Sequence, residues 1–270
     1  LTLVQPNEAM FNNSYYDGIY LYKGTAYPIM LSNNYIIIIV LNNQNVCIGI
    51  STGVDSTVLL HCLMSLKEEL NIKIHVLLRP RFGDFCYTDY EHEIIKEEVR
   101  KFRELGADGV VIGTLKPDGT LNLEQMKELV EEAGTMSITL HRAFDMCKDP
   151  MKTLKDVKEL GIHTILTSGQ KNSCINGTDL LAKLVKEADD KVDILIGGGV
   201  DASVIEELHD KTGATSYHMS GKITLDSKME YRRADVNMGV ASMSEYEIWR
   251  TSSDRVGAAK KVLEKLRDKN

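Results

Sequence analysis

A chain of 270 residues with 43% apolar side chains holds enough material for one large α/β barrel or two small domains, each with a real core, and excludes a disordered chain. Its 32 basic and 39 acidic side chains give a formal charge of −7, which argues against a nucleic-acid partner held through its phosphates. An acidic body with a few placed cations suits a small anionic ligand better. The five cysteines (Cys47, Cys62, Cys86, Cys147, Cys174) form no CxxC pair, so neither a zinc site nor a disulfide framework is indicated, and a reducing compartment is expected. The apolar run 35–41 is far shorter than the ~20 residues that span a bilayer, and the first residues lack the basic region of a signal peptide. A cytoplasmic protein with no membrane partner is the expectation.

In chain order, residues 1–71 come first and read differently from the rest. Tyr15, Tyr16, Tyr20, Tyr22 and many asparagines precede the apolar run, and the helix punctuation seen later is missing. Two readings stand: strands at 36–40 and 46–50 with a helix, completing a barrel, or a leader foreign to the fold. From residue 72 onward short apolar runs alternate with helical stretches. Strands are predicted at 73–78, 109–114, 137–141, 164–167, 193–196 and 216–219, each largely apolar, as strands covered on both faces must be.

Between them, Thr88 with Glu91 makes a capping box, and Ile95, Val99 and Phe102 recur at helical spacing before Gly106. Asp149-Pro150 opens a helix that Gly161 closes, and Asp201 and Gly213 bracket another. Repeated helix exits into strands favour right-handed βα winding about one sheet. The expected fold is therefore an α/β TIM (β/α)8 barrel, with an N-terminal part that either completes the ring or leaves it irregular.

In such a barrel the working groups project from the C-terminal ends of the strands. Those ends carry Arg79, Arg81 and Asp84; His141, Arg142 and Asp145; Ser168; Gly197, Gly198 and Gly199; and His218, Ser220 and Lys222. Strand alternation points His141 into the mouth and groups Arg79 with His75 and Leu77. The glycine turns after the last two strands suit phosphate, because backbone N–H groups can approach an anion there. Arg79, Arg81, Arg142 and Lys222 on the same rim point to an anionic ligand. His141 is a candidate general acid or base, with Asp84 or Asp145 as its orienting partner or second acid–base group. Cys86 and Cys147 are candidate soft ligands for Cu(I), the alternative being two thiols without a role.

The segments Arg79-Pro-Arg-Phe-Gly-Asp-Phe-Cys-Tyr-Thr-Asp, His141-Arg-Ala-Phe-Asp, Leu166-Thr-Ser-Gly-Gln-Lys, Gly197-Gly-Gly-Val and Met229-Glu-Tyr-Arg resemble, in order and spacing, the motifs of the CutC copper homeostasis family. The resemblance runs from about residue 72 to the end. It implies a TIM barrel, cytoplasmic location, self-association as a homodimer or larger homo-oligomer, and a place in copper homeostasis. Carried over by motif, the pocket residues are Arg79, Arg81, Asp84, His141, Arg142, Asp145, Ser168 and the 197–199 turn. The family's first two strands, with a glutamate-leucine-cysteine signature, find no match in residues 1–71. There, the stretch from Val46 to His61 instead resembles the pyrophosphatase loop of ATP-dependent tRNA-modifying ligases, with Ser51, Asp55 and Ser56 as its nucleotide contacts and Thr52 in place of a glycine. ATP is the less favoured ligand.

Overall fold

Eight short strands close into a ring whose helices pack outside it. A computed structural model of the chain describes residues 17–22, 25–30, 38–41, 46–51, 67, 73–233, 236 and 244–268. The strands are β1 (Asp17–Tyr22), β2 (Thr25–Met30), β3 (Ile38–Leu41), β4 (Val46–Ser51), β5 (Lys73–Leu77), β6 (Gly109–Ile112), β7 (Ser137–Leu140), β8 (Thr164–Thr167), β9 (Asp193–Ile196), β10 (Ser216–Met219), β11 (Lys222–Asp226) and β12 (Glu247–Thr251). The helices are α1 (Asp89–Glu104), α2 (Leu123–Ala133), α3 (Pro150–Glu159), α4 (Thr178–Ala188), α5 (Ala202–Thr212) and α6 (Ser253–Arg267). The closed barrel runs β10-β3-β4-β5-β6-β7-β8-β9. Two antiparallel pairs, β1 with β2 and β11 with β12, lie outside it.

From β4 to β10 the neighbouring strands are parallel, as the repeated βα pattern requires. The six strands predicted from residue 73 onward all form, with β5, β6 and β7 ending one or two residues early. The departure from a regular (β/α)8 barrel is β3, which is antiparallel to both β4 and β10. Four residues separate Leu41 from Val46, and those two are register partners. A link that short can only turn a strand back on itself, because a parallel neighbour needs a crossover of a dozen or more residues. β3 and β4 thus stand where strands were expected at 36–40 and 46–50. The helix expected after β4 lies outside the described residues apart from Lys67.

One face of each strand feeds the core. Ile74, Val76 and Leu78 on β5 and just past it, Val110 and Ile112 on β6, Ile138 and Leu140 on β7, and Ile194 and Ile196 on β9 are all buried. They meet Ile95 and Val99 of α1, Met126 and Leu129 of α2, Leu181 and Leu184 of α4, and Ile205 and Leu208 of α5 in one cluster. The opposite positions, His75, Leu77 and Arg79 on the β5 line and Thr139 and His141 on the β7 line, turn inward and upward to the mouth.

Helix starts are fixed by side chains at the C-terminal rim of the strands. Thr88 caps α1 and Glu91 reaches back to the Thr88 N–H at 2.9 Å, the reciprocal box read from the sequence. Asp149 caps α3 ahead of Pro150, and Asp201 caps α5. Replacing Thr88 by Ala should lower the unfolding free energy by about 1 kcal/mol, read as a lower urea midpoint at unchanged m. An unchanged midpoint would mean that Glu91 holds the turn without the hydroxyl.

Candidate functional site

The loop after β5 is tied together by its own arginines. The Arg81 guanidinium pairs with Glu91, sits 2.9 Å from Asp84, donates to the Cys86 carbonyl at 3.0 Å and lies over the Tyr87 ring. Asp84 also accepts from the Cys86 N–H, and that bond, followed by Arg81, holds its carboxyl below the usual range. Arg79 behaves differently. It donates to the Gly83 carbonyl at 2.7 Å and lies 4.7 Å from the centroid of Phe85, and it has no carboxylate partner among the described residues. Its Nε is buried and has no acceptor there.

Inside the ring, imidazoles occupy room left by glycines on neighbouring strands. A Cβ on Gly109 would fall 2.7 Å from the His75 ring, one on Gly113 2.7 Å from His141, and one on Gly197 3.2 Å from His218. A side chain at Gly109 or Gly113 would have to displace the ring, while one at Gly197 would meet Leu166 Cδ1 first, at 2.7 Å. His141, 4% exposed, is the clearest case. Its Nδ1 accepts from the Ala143 N–H at 3.1 Å, capping the 3₁₀ turn Arg142–Met146, so the ring proton resides on Nε2. That Nε2 is buried and unpartnered among the described residues, and the Phe85 ring lies 4.8 Å away. Burial, and then the charge of Arg79, push the His141 pKa down to about 3. His218 has the same character: its Nε2 is buried without a partner, and burial first, with Arg142 also lowering it, takes it down to about 4.

The third arc of the mouth is organised by Asp145. Its carboxylate accepts from Arg142 Nε at 2.7 Å, from the Thr167 hydroxyl, and from the Ser168 and Gln170 N–H groups at 3.1 and 3.0 Å. Arg142 Nη2 reaches Ser168 Oγ at 2.8 Å. The Gly198 backbone takes φ 97°, and a Cβ there would come 3.0 Å from that of Ser168, so the 197–199 turn presses directly onto this knot.

The sequence sets Asp84 or Asp145 beside His141 as its orienting partner, and the structure corrects this. Asp84 is drawn into the turn that Arg81 closes. Asp145 lies one 3₁₀ turn past His141 and faces β8, so a backbone N–H orients the imidazole instead. Lys222 leaves the mouth as well: its ammonium stacks 3.6 Å from the Trp249 centroid at the β11–β12 pair, and Ser220 is an exposed residue just before it. Brought together are Arg79, His141, Arg142, Ser168, the glycine turn and His218. The sequence reasoning missed Gly113, Phe85 and Thr114, whose buried hydroxyl also lacks a partner among the described residues. Gly113 was findable in principle, as a glycine at a strand end beside the strand of His141. Phe85 lies within the motif from Arg79 to Asp89, but nothing in that motif singles it out from Phe82.

For the metal candidates, Cys147 is buried, burial pushes its thiol up, and its sulfur contacts Gln170 Nε2 at 3.4 Å. Cys86 is half-buried and free. Among the described residues neither belongs to a group of three His, Cys, Asp or Glu donors. The group that exists, His92, Glu93 and Glu128, has Lys96 in it at 2.9 Å from Glu128. Of the nucleotide contacts, Ser51 ends β4, while Asp55 and Ser56 lie outside the described residues. Among the described residues no helix is long and apolar enough to cross a membrane.

A family model described as the CutC family matches residues 46–223. The match opens at Val46 and so takes in β4, which the motif resemblance starting near residue 72 leaves out. A family protein CutC of Parabacteroides distasonis is 42% identical over 188 residues, 69% of this chain and 77% of its own length. The copper homeostasis protein cutC homolog of Homo sapiens is 36% identical over 211 residues, 78% of this chain and 77% of its own. The crystal structure of a CutC from Streptococcus agalactiae aligns with a TM-score of 0.56 at 29% identity, over 59% of this chain and 77% of that one.

Buried neutral imidazoles make stability depend on pH. The His75, His141 and His218 pKa values lie at about 4, 3 and 4 in the folded chain, below the 6.5 of an exposed histidine. The unfolded chain therefore binds more protons than the folded one in that window. Their contribution is intact above about pH 6.5 and is lost as pH falls from there toward about 3, the His141 value. Urea midpoints at pH 7.5 and pH 5 should differ, and His218→Gln should shrink the difference; equal midpoints for the wild type would mean the rings are not buried neutral. Gly113→Ala should also destabilise the fold and shift the His141 imidazole resonances, since the new methyl and the ring compete for one space.

Proposed function

The chain belongs to the CutC family, and on that premise we propose that its barrel mouth binds a small carboxylated or phosphorylated metabolite and acts on it as an enzyme. The observation that carries this reading is a set of buried nitrogens without partners among the described residues: the donors Arg79 Nε and His141 Nε2, and His218 Nε2. An unsatisfied buried donor costs about 1–3 kcal/mol, and a chain that keeps several at one rim regains that cost when an anion supplies the oxygens. His141 works here as a neutral N–H donor. With Nδ1 taken by Ala143, it has no lone pair directed at the ligand, so it can stabilise an oxyanion but cannot serve as the base. Asp145 positions Arg142 and the loop after β8.

A role in copper homeostasis, as the printed name of the human relative states for that protein, is the second reading. Direct Cu(I) binding would fall to Cys86 and Cys147, and these fit poorly: Cys147 is a buried thiol held toward its protonated form, and His141 presents a proton where a metal would need a lone pair. No step is assigned to copper. A cytoplasmic site and self-association belong to the same proposal.

Thermal-shift screening of the purified chain against carboxylates and phosphates should show saturable stabilisation, lost in Arg79→Ala and His141→Ala. A wild type indifferent to every anion would remove the enzymatic reading. Titration against a competing Cu(I) chelator should show no affinity beyond that of scattered thiols. Stoichiometric uptake abolished by Cys86→Ser would restore the metal.

A further inference from the structure

Resting on that reading, the charges at the rim define what kind of anion fits. Of the four cations that the sequence places there, two are paired with carboxylates and a third is an exposed lysine against a tryptophan ring. Arg81 pairs with Glu91 and Asp84, Arg142 pairs with Asp145, and the Lys222 ammonium lies over Trp249. Arg79 alone meets only a carbonyl and aromatic rings among the described residues. Its guanidinium and the His141 ring share the Phe85 face, 4.7 and 4.8 Å from that ring's centroid, which sets a full positive charge and a neutral N–H donor side by side. The other unpartnered imidazole nitrogen, His218 Nε2, stands at the far side of the same rim. It stands on β10, packed over Gly197, three strands round the ring from β7, and the arginine nearest it is the neutralised Arg142.

We propose that the ligand has a single anionic head, held by Arg79 and His141, and an uncharged polar end, a hydroxyl or carbonyl, facing His218. A second anionic group at the buried His218 end would be desolvated without a buried cation beside it, because Lys171 and Lys222, unpaired among the described residues, are exposed, and that is costly. The class indicated is hydroxy or oxo acids, or phosphate monoesters whose remaining groups are neutral. The shared chemistry is one oxyanion and one neutral polar group a few bonds away.

Calorimetric titration of the full chain tests this with matched probes. One arm uses acetate, glycolate and tartronate, which is glycolate with a second carboxylate; the other uses inorganic phosphate, glycerol 3-phosphate and 3-phosphoglycerate. In the arm that matches the natural head, the hydroxylated single-headed probe should bind tightest and its doubly headed partner at least about tenfold more weakly. Arg79→Gln should cost about a hundredfold, while Arg79→Lys keeps measurable affinity. His218→Gln should reduce the hydroxylated probe to the affinity of the bare anion without altering the latter. Tighter binding of tartronate or 3-phosphoglycerate, or an unaffected Arg79→Gln, overturns the single-head assignment and leaves the enzymatic reading standing. Failure of every probe with the wild type overturns both.

Discussion

The mouth depends on one packing constraint: imidazoles can enter the closed ring only where the neighbouring strand offers a glycine. His141 is lodged against Gly113 in a space that a single methyl would fill, and His218 lies beside Gly197, 3.2 Å from where a Cβ would stand. A ring so placed is stripped of water and stays neutral at ordinary pH, so its free nitrogen works as a directional donor and not as a charge. The same placement leaves these nitrogens without partners among the described residues, and the proposed binding rests on that frustration.

Around this constraint the charged residues divide into two kinds. Arg81, Asp84 and Glu91 fold the loop after β5, and Asp145 with Arg142 braces the loop after β8; both sets spend their charge on the protein itself. Of the three rim arginines, Arg79 is the one with no carboxylate partner among the described residues. An acidic chain thereby presents a locally positive spot at the open end of its barrel, where walls of low polarity strengthen its pull on an anion.

Membership in the CutC family ties this geometry to relatives named for copper, yet the donors gathered at the mouth are hard, nitrogen-borne N–H groups. Thiols sit apart from them: Cys147 beneath Gln170 and Cys86 at the edge of the Arg81 turn. The chemistry of the rim is what the proposed oxyanion recognition requires.

By itself the sequence determined the βα repeat, the caps at Thr88, Asp149 and Asp201, and the inward parity of Arg79, His141 and His218, because local propensity and strand alternation depend only on near neighbours in the chain. The rim positions of most site residues followed from the same rule. Only the tertiary structure decided which charges remain free. Whether an arginine meets a carboxylate depends on side chains that converge from separate loops, so Asp84 and Asp145 read as partners for His141 while in fact closing on Arg81 and on Arg142. It also decided that β3 runs against its neighbours, since closing the ring through a four-residue link leaves that strand no other direction.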